Sequence, residues 1–158
     1  MKKIALIFGL AIMVLSGCKK DLPDPGGTAS QKLANEWWTR LTLNGADVYG
    51  IGHFALLTYN TAANSNEIWI DDYGHSWDFK IKAQANYTDL TFTAAQATDI
   101  NHNIKVDVSE GKVLLGVGIS KTGNVTDSIY MKIKFSDDPG KEYVISGHGR
   151  TKFAEDEY

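Results

Sequence analysis

Trp77-Asp78-Phe79-Lys80-Ile81-Lys82-Ala83 decides the fold. Apolar and polar side chains alternate with period two, which puts one set on each face of an extended strand. A helix needs apolar neighbours three and four apart, and this stretch does not supply them. The same alternation recurs in Ile129, Met131, Ile133 and Phe135 against Tyr130, Lys132 and Lys134. It recurs in Ile104, Val106 and Val108, and again in Val113, Leu115, Val117 and Ile119.

Working outward, nine runs read as strands: Glu36–Leu43, His53–Tyr59, Glu67–Asp71, Trp77–Ala83, Asp89–Thr93, Asn103–Ser109, Lys112–Ile119, Ser128–Phe135 and Tyr143–Arg150. Turn chemistry separates them at Asn44-Gly45, Asn64-Ser65-Asn66, Tyr73-Gly74, Glu110-Gly111, Thr122-Gly123-Asn124 and Asp138-Pro139-Gly140. Connections this short make sequence neighbours pair as antiparallel hairpins. No stretch reads as a crossover helix, and Thr28–Ala34, with capping-box spacing, is the one short helix expected. A meander with one apolar face must hide that face and both of its edges. Closing into a single up-and-down barrel of eight to nine strands does both, so the expected class is all-β, with a two-sheet sandwich as the alternative.

The chain has 158 residues, enough for one domain. Lys2 and Lys3, the apolar Ile4–Val14 and then Leu15-Ser16-Gly17-Cys18 have the order of an export signal, too short to span a bilayer core of about 20 residues. Leu-Ser-Gly-Cys resembles the bacterial lipobox, which implies lipidation of Cys18, the sole cysteine, and a stable membrane anchor. Lys19 after the cysteine implies, by the sorting rules of such proteins, the outer membrane. Residues 1–17 are thus expected to be a signal peptide, 18–28 a tether rich in Pro and Gly, and 29–158 the barrel domain. From Cys18 onward the chain carries 14 basic and 19 acidic residues, a net −5, which disfavours a nucleic-acid partner. A single cysteine excludes an internal disulfide framework and any multi-cysteine zinc site.

Asp71–Asp78 holds the densest polar cluster and contains Ser76 with His75 and Asp78, the residue types of a nucleophilic hydrolase. The nucleophile elbow Gly-x-Ser-x-Gly is not met, because Gly74-His75-Ser76-Trp77-Asp78 ends in Asp on a hairpin. Asp71, Asp72 and Asp78 lack the spacing of a calcium loop. His148, flanked by Gly147 and Gly149, invites close approach of a ligand or of another backbone, with relief of crowding at a barrel corner the plainer reading. His53, His75 and His102 show no metal-ligand spacing, so neither metal nor cofactor is expected. Ser76 and His148 remain weak catalytic candidates.

Several segments carry a resemblance: Asn35-Glu36-Trp37-Trp38, Leu57–Asn64, Trp69-Ile70-Asp71-Asp72, Trp77–Lys80, Asp127–Tyr130, Phe135–Pro139, Val144–Thr151 and Glu155–Tyr158. Together they resemble a group of bacterial lipoproteins classed as calycin-like lipid-binding proteins, some of which carry a hydrolase label. The resemblance implies a lipocalin-like barrel holding a lipid or other small hydrophobic ligand. On the apolar face of the strands, Phe54, Leu56, Ile70, Trp77, Phe79, Phe92 and Met131, together with Leu115, would line that interior. The wider calycin group opens its first strand with Gly-x-Trp, matched here by Asn35-Glu36-Trp37, and lays an Arg over that Trp. Arg150 is placed to do so on Trp37 or the adjacent Trp38, and Trp37–Arg150 is the expected barrel-closing pair. The expected partners are therefore the membrane, through the anchor, and a small apolar molecule. Outward aromatics (Trp38, Tyr49, Tyr59, Trp69, Tyr73, Tyr130) offer an alternative surface for a glycan or partner lipoprotein, and a weak ester hydrolase is the third reading.

Overall fold

Eight antiparallel strands close on themselves in chain order. The computed structural model describes residues 27–63 and 65–158. The export signal, Cys18, the tether up to Gly26 and Asn64 lie outside the described residues. The strands are β1 (Asn35–Leu43), β2 (Phe54–Asn60), β3 (Glu67–Asp71), β4 (Lys80–Asn86), β5 (Thr91–Thr98), β6 (Lys105–Ile119), β7 (Val125–Phe135) and β8 (Tyr143–Gly149). Each pairs with its sequence neighbours, and β1 meets β8 from Trp37↔Gly149 through Leu43↔Tyr143.

Period two does the sorting. Trp37, Leu41, Leu56, Ile68, Ile70, Ile81, Ile133 and Ile145 point inward into one continuous core, while alternate residues face out. Each such side chain contributes roughly 1.5–3 kcal/mol through burial. At one end, the base, Leu33 and Trp37 fill the barrel. There the Thr58 hydroxyl donates to Leu33 O (2.5 Å) and accepts from Trp37 Nε1 (2.8 Å) and the Asn35 N–H (3.2 Å). The opposite end, the mouth, is formed by the β1–β2, β3–β4, β5–β6 and β7–β8 connections.

Four sequence expectations are corrected. Asn103–Ser109 and Lys112–Ile119 are one strand, because ladders continue past Glu110-Gly111 on both flanks and Glu110, with φ +54°, forms a bulge instead of a turn. The fourth strand begins at Lys80, leaving Trp77-Asp78 in the preceding loop. Thr28–Ala34 forms successive turns (Leu33 N–H to Ser30 O, 2.8 Å; Gln31 N–H to Thr28 O, 3.0 Å) and no helix. Leu115 does not line the core. A second bulge sets Leu115, Gly116 and Val117 against the single residue Asp127, and Leu115 and Val117 stand 46% and 59% exposed.

Candidate functional site

The mouth loops are held by carboxylates. Asp47 accepts from the N–H groups of Ile51 (3.1 Å) and Gly52 (2.8 Å), and those bonds hold its pKa below the usual carboxylate value. Asp72, fully buried, accepts from five backbone N–H groups, those of Gly74, Ser76, Trp77, Asp78 and Phe79, at 2.7–3.1 Å. With five donors converging on it, this one side chain fixes the whole β3–β4 loop. Asp99, also buried, accepts from Lys80 N–H and His102 N–H, both at 2.7 Å, and so joins β4 to the β5–β6 loop. In the β7–β8 loop the Tyr143 hydroxyl donates to Asp138. This bond draws the Asp138 pKa down, while burial, followed by the bond to Asp138, pushes the Tyr143 pKa up.

Aromatic rings close the mouth over the core. Trp77 stacks on Phe135 with centroids 4.6 Å apart and planes 3° from parallel, and Tyr49 meets Trp77 edge-on at 5.6 Å. Tyr143 sits 5.3 Å from Trp77, and its hydroxyl lies 2.8 Å from that of Tyr49. Trp77 Nε1 donates to Asp137 Oδ2 at 3.2 Å. Half-buried, Trp77 packs on the core below and faces a groove of about 570 Å³ above, lined by Tyr49, Ile51, Ser76, Asp78, His102 and Asp137.

Phe54, Leu56, Ile70, Phe79, Phe92 and Met131 come together in the closed core at 0–2% exposure, with Trp77 at its mouth edge. The expected Trp37–Arg150 pair is not formed. Trp37 points inward, whereas the Arg150 guanidinium lies 5.0 Å over the ring of Trp38, paired to Glu36 (3.2 Å) and Glu157 (2.5 Å). The reason is the pleat: Trp37 faces in opposite Gly149, so the next residue of each strand faces out. Ser76 and His148 are not brought together. The Ser76 hydroxyl donates to Asp72 Oδ2 (2.8 Å) at the mouth, whereas His148 sits opposite Trp38 near the base, 6.0 Å from the Tyr158 ring. Burial lowers the pKa of His148, and its Nε2 and the Trp38 Nε1 are buried without partners among the described residues. Asp71 pairs with Lys80 (3.1 Å) and Asp78 with His102 (2.8 Å), so the three carboxylates of the Asp71–Asp78 cluster serve different partners. Sequence spacing gives no sign of the Asp78–His102 pair or of the loop-wide reach of Asp72. An Asp two residues before Gly74 signals only the turn.

A family model described as "Lipid-binding putative hydrolase" matches residues 22–154 of this eight-stranded barrel. The chain belongs to that family. No curated protein matches it. As a member of the lipid-binding family, the chain is suited to a small hydrophobic ligand, and the aromatic mouth opens to solvent through the groove above Trp77.

Proposed function

We propose that this protein is an outer-membrane lipoprotein, anchored through Cys18, that binds a lipid or similar small hydrophobic molecule in the mouth half of its barrel. The observation that carries the reading is Trp77. Leu115 aside, it alone among the expected interior residues is only half-buried, set between the apolar core and an open groove. Burial of an acyl chain there is worth about 25 cal/mol per Å². The outward aromatics already carry cations, Arg150 on Trp38 and Lys80 on Tyr59, which favours the mouth over the outer face.

The test uses the full chain extracted from membranes. Mass spectrometry of its organic extract should show a bound lipid, and a fluorescent fatty-acid probe should bind the stripped protein and bind less to Trp77→Ala. Absence of both would reject the ligand. Cys18→Ser should move the protein from the membrane to the soluble fraction, and retention would reject the anchor.

A further inference from the structure

The wall between β4 and β5 is incomplete. Gln84↔Thr93, Ala85↔Phe92 and Asn86↔Thr91 form its ladder near the base. Toward the mouth, no ladder pair joins Ile81–Ala83 to Ala94–Thr98 among the described residues. The strands meet again only at the rim, where Ile100 N–H donates to Lys80 O (3.1 Å) and Lys80 N–H to Asp99 Oδ1 (2.7 Å). Two register shifts in β5, between Phe92 and Ala94 and between Ala94 and Ala97, bend it away. Gln96, at φ +50°, turns its N–H to Asp107 Oδ1 (2.6 Å). The result is a slit just below the mouth.

Three features of the slit point to one kind of ligand. A groove of about 540 Å³ lies over it, bordered by Trp69, Lys82, Gln84 and Ile100. Its floor is where the core is thinnest: Ala94 and Ala97 line it and pack against the core, and Ala83 is buried on the facing strand, where other walls present Leu, Ile and Phe. A slender chain therefore penetrates here by displacing methyl groups instead of rings. Among the described residues, the one charge facing the groove without an ion pair is the Lys82 ammonium, 5.2 Å over the Trp69 ring. Lys80, also over that ring at 5.5 Å, is neutralised by Asp71.

We propose that the β4–β5 slit binds a long-chain carboxylate, with Lys82 holding the carboxylate and the alkyl chain passing between the strands over the alanines into the core. A single unpaired ammonium matches the single charge of a carboxylate, where a phosphate monoester near −2 would call for a second cation. The indole under Lys82 pre-orders its side chain, which lowers the cost of fixing the head. This inference rests on the lipid-binding reading and adds to it the head group and its place on the wall.

The test compares dodecanoate with its methyl ester on the delipidated full chain, by displacement of a fluorescent fatty-acid probe. The acid should bind at least about tenfold tighter than the ester. Lys82→Gln should erase that difference while leaving ester affinity unchanged. Ala95→Trp, a substitution at the exposed groove lip that leaves the core untouched, should weaken both ligands by about tenfold or more. An acid–ester difference that survives Lys82→Gln, or affinities untouched by Ala95→Trp, would overturn the slit while leaving ligand binding itself standing. Failure of wild type to bind either molecule would overturn both readings.

Discussion

The seam between β1 and β8 and the joint between β4 and β5 are built to opposite standards. The seam joins distant parts of the chain, Thr42 meeting Val144 102 positions away, yet its ladder runs unbroken over seven pairs. At Gly147 the strands are so close that a Cβ would stand 1.9 Å from the Trp38 carbonyl oxygen. The β4–β5 joint links strands separated only by residues 87–90, yet it keeps three pairs and then opens. The contrast follows from loop-closure entropy, which is small for a short connection and large for the seam. A joint already held by its own turn can leave bonds unmade. The joint that closes the barrel cannot, and the slit therefore falls where the fold least depends on the ladder.

The contrast breaks most sharply at Gly147. Gly147→Val should lower unfolding free energy by about 3 kcal/mol, read by chemical denaturation, whereas Ala95→Val beside the slit should change it by less than about 0.5 kcal/mol. Equal losses would show that both joints bear the fold alike. Next in size is Asp99→Ala, which strips the acceptor from Lys80 N–H and His102 N–H at the rim. It should cost about 2 kcal/mol and speed amide exchange at Lys80 and Ile100 while leaving the seam amides protected.

The smallest effect is on the outside of the seam. His53 and His148 there have pKa values below 6.5, chiefly through burial, with Arg40 pressing His53 further down and Asp156 opposing the shift at His148. The unfolded chain takes up protons first as pH falls through 6.5, so their contribution to stability is present above that value and lost below it. The melting temperature should drop between about pH 7.5 and about pH 5.5, and His148→Asn should shrink the drop. An unchanged drop in that variant would acquit the histidine.

Much of this architecture is legible in the alternation itself. Trp77–Ala83 and Ile129–Phe135 announce strands, and an apolar face with no other cover implies closure. The segments from Asn35 to Tyr158 that resemble lipid-binding lipoproteins point to the family that the chain belongs to. The bulges were not legible. Glu110-Gly111 has the composition of a turn, and only pairing on both sides makes it a kink within one strand. The same blindness placed Leu115 in the core, because a bulge resets the phase of the alternation that period-two counting assumes. Trp37 and Trp38 show the limit at finer grain: the adjacent rings are chemically alike, and only the register against Gly149 decides which one meets Arg150. The mouth network escaped for another reason. Asp72 acts through the backbone of the residues that follow it, and backbone groups carry no letter in a sequence.

The Thr58 hydroxyl at the base has a mechanical consequence. A pull on the chain ahead of Gly27, as from an attachment point, reaches the barrel through Leu33, whose carbonyl that hydroxyl holds. From there the force runs along the axis of β1, a strand flanked on both sides by β2 and β8. Such a load shears two ladders at once, so the bonds resist together instead of unzipping one by one.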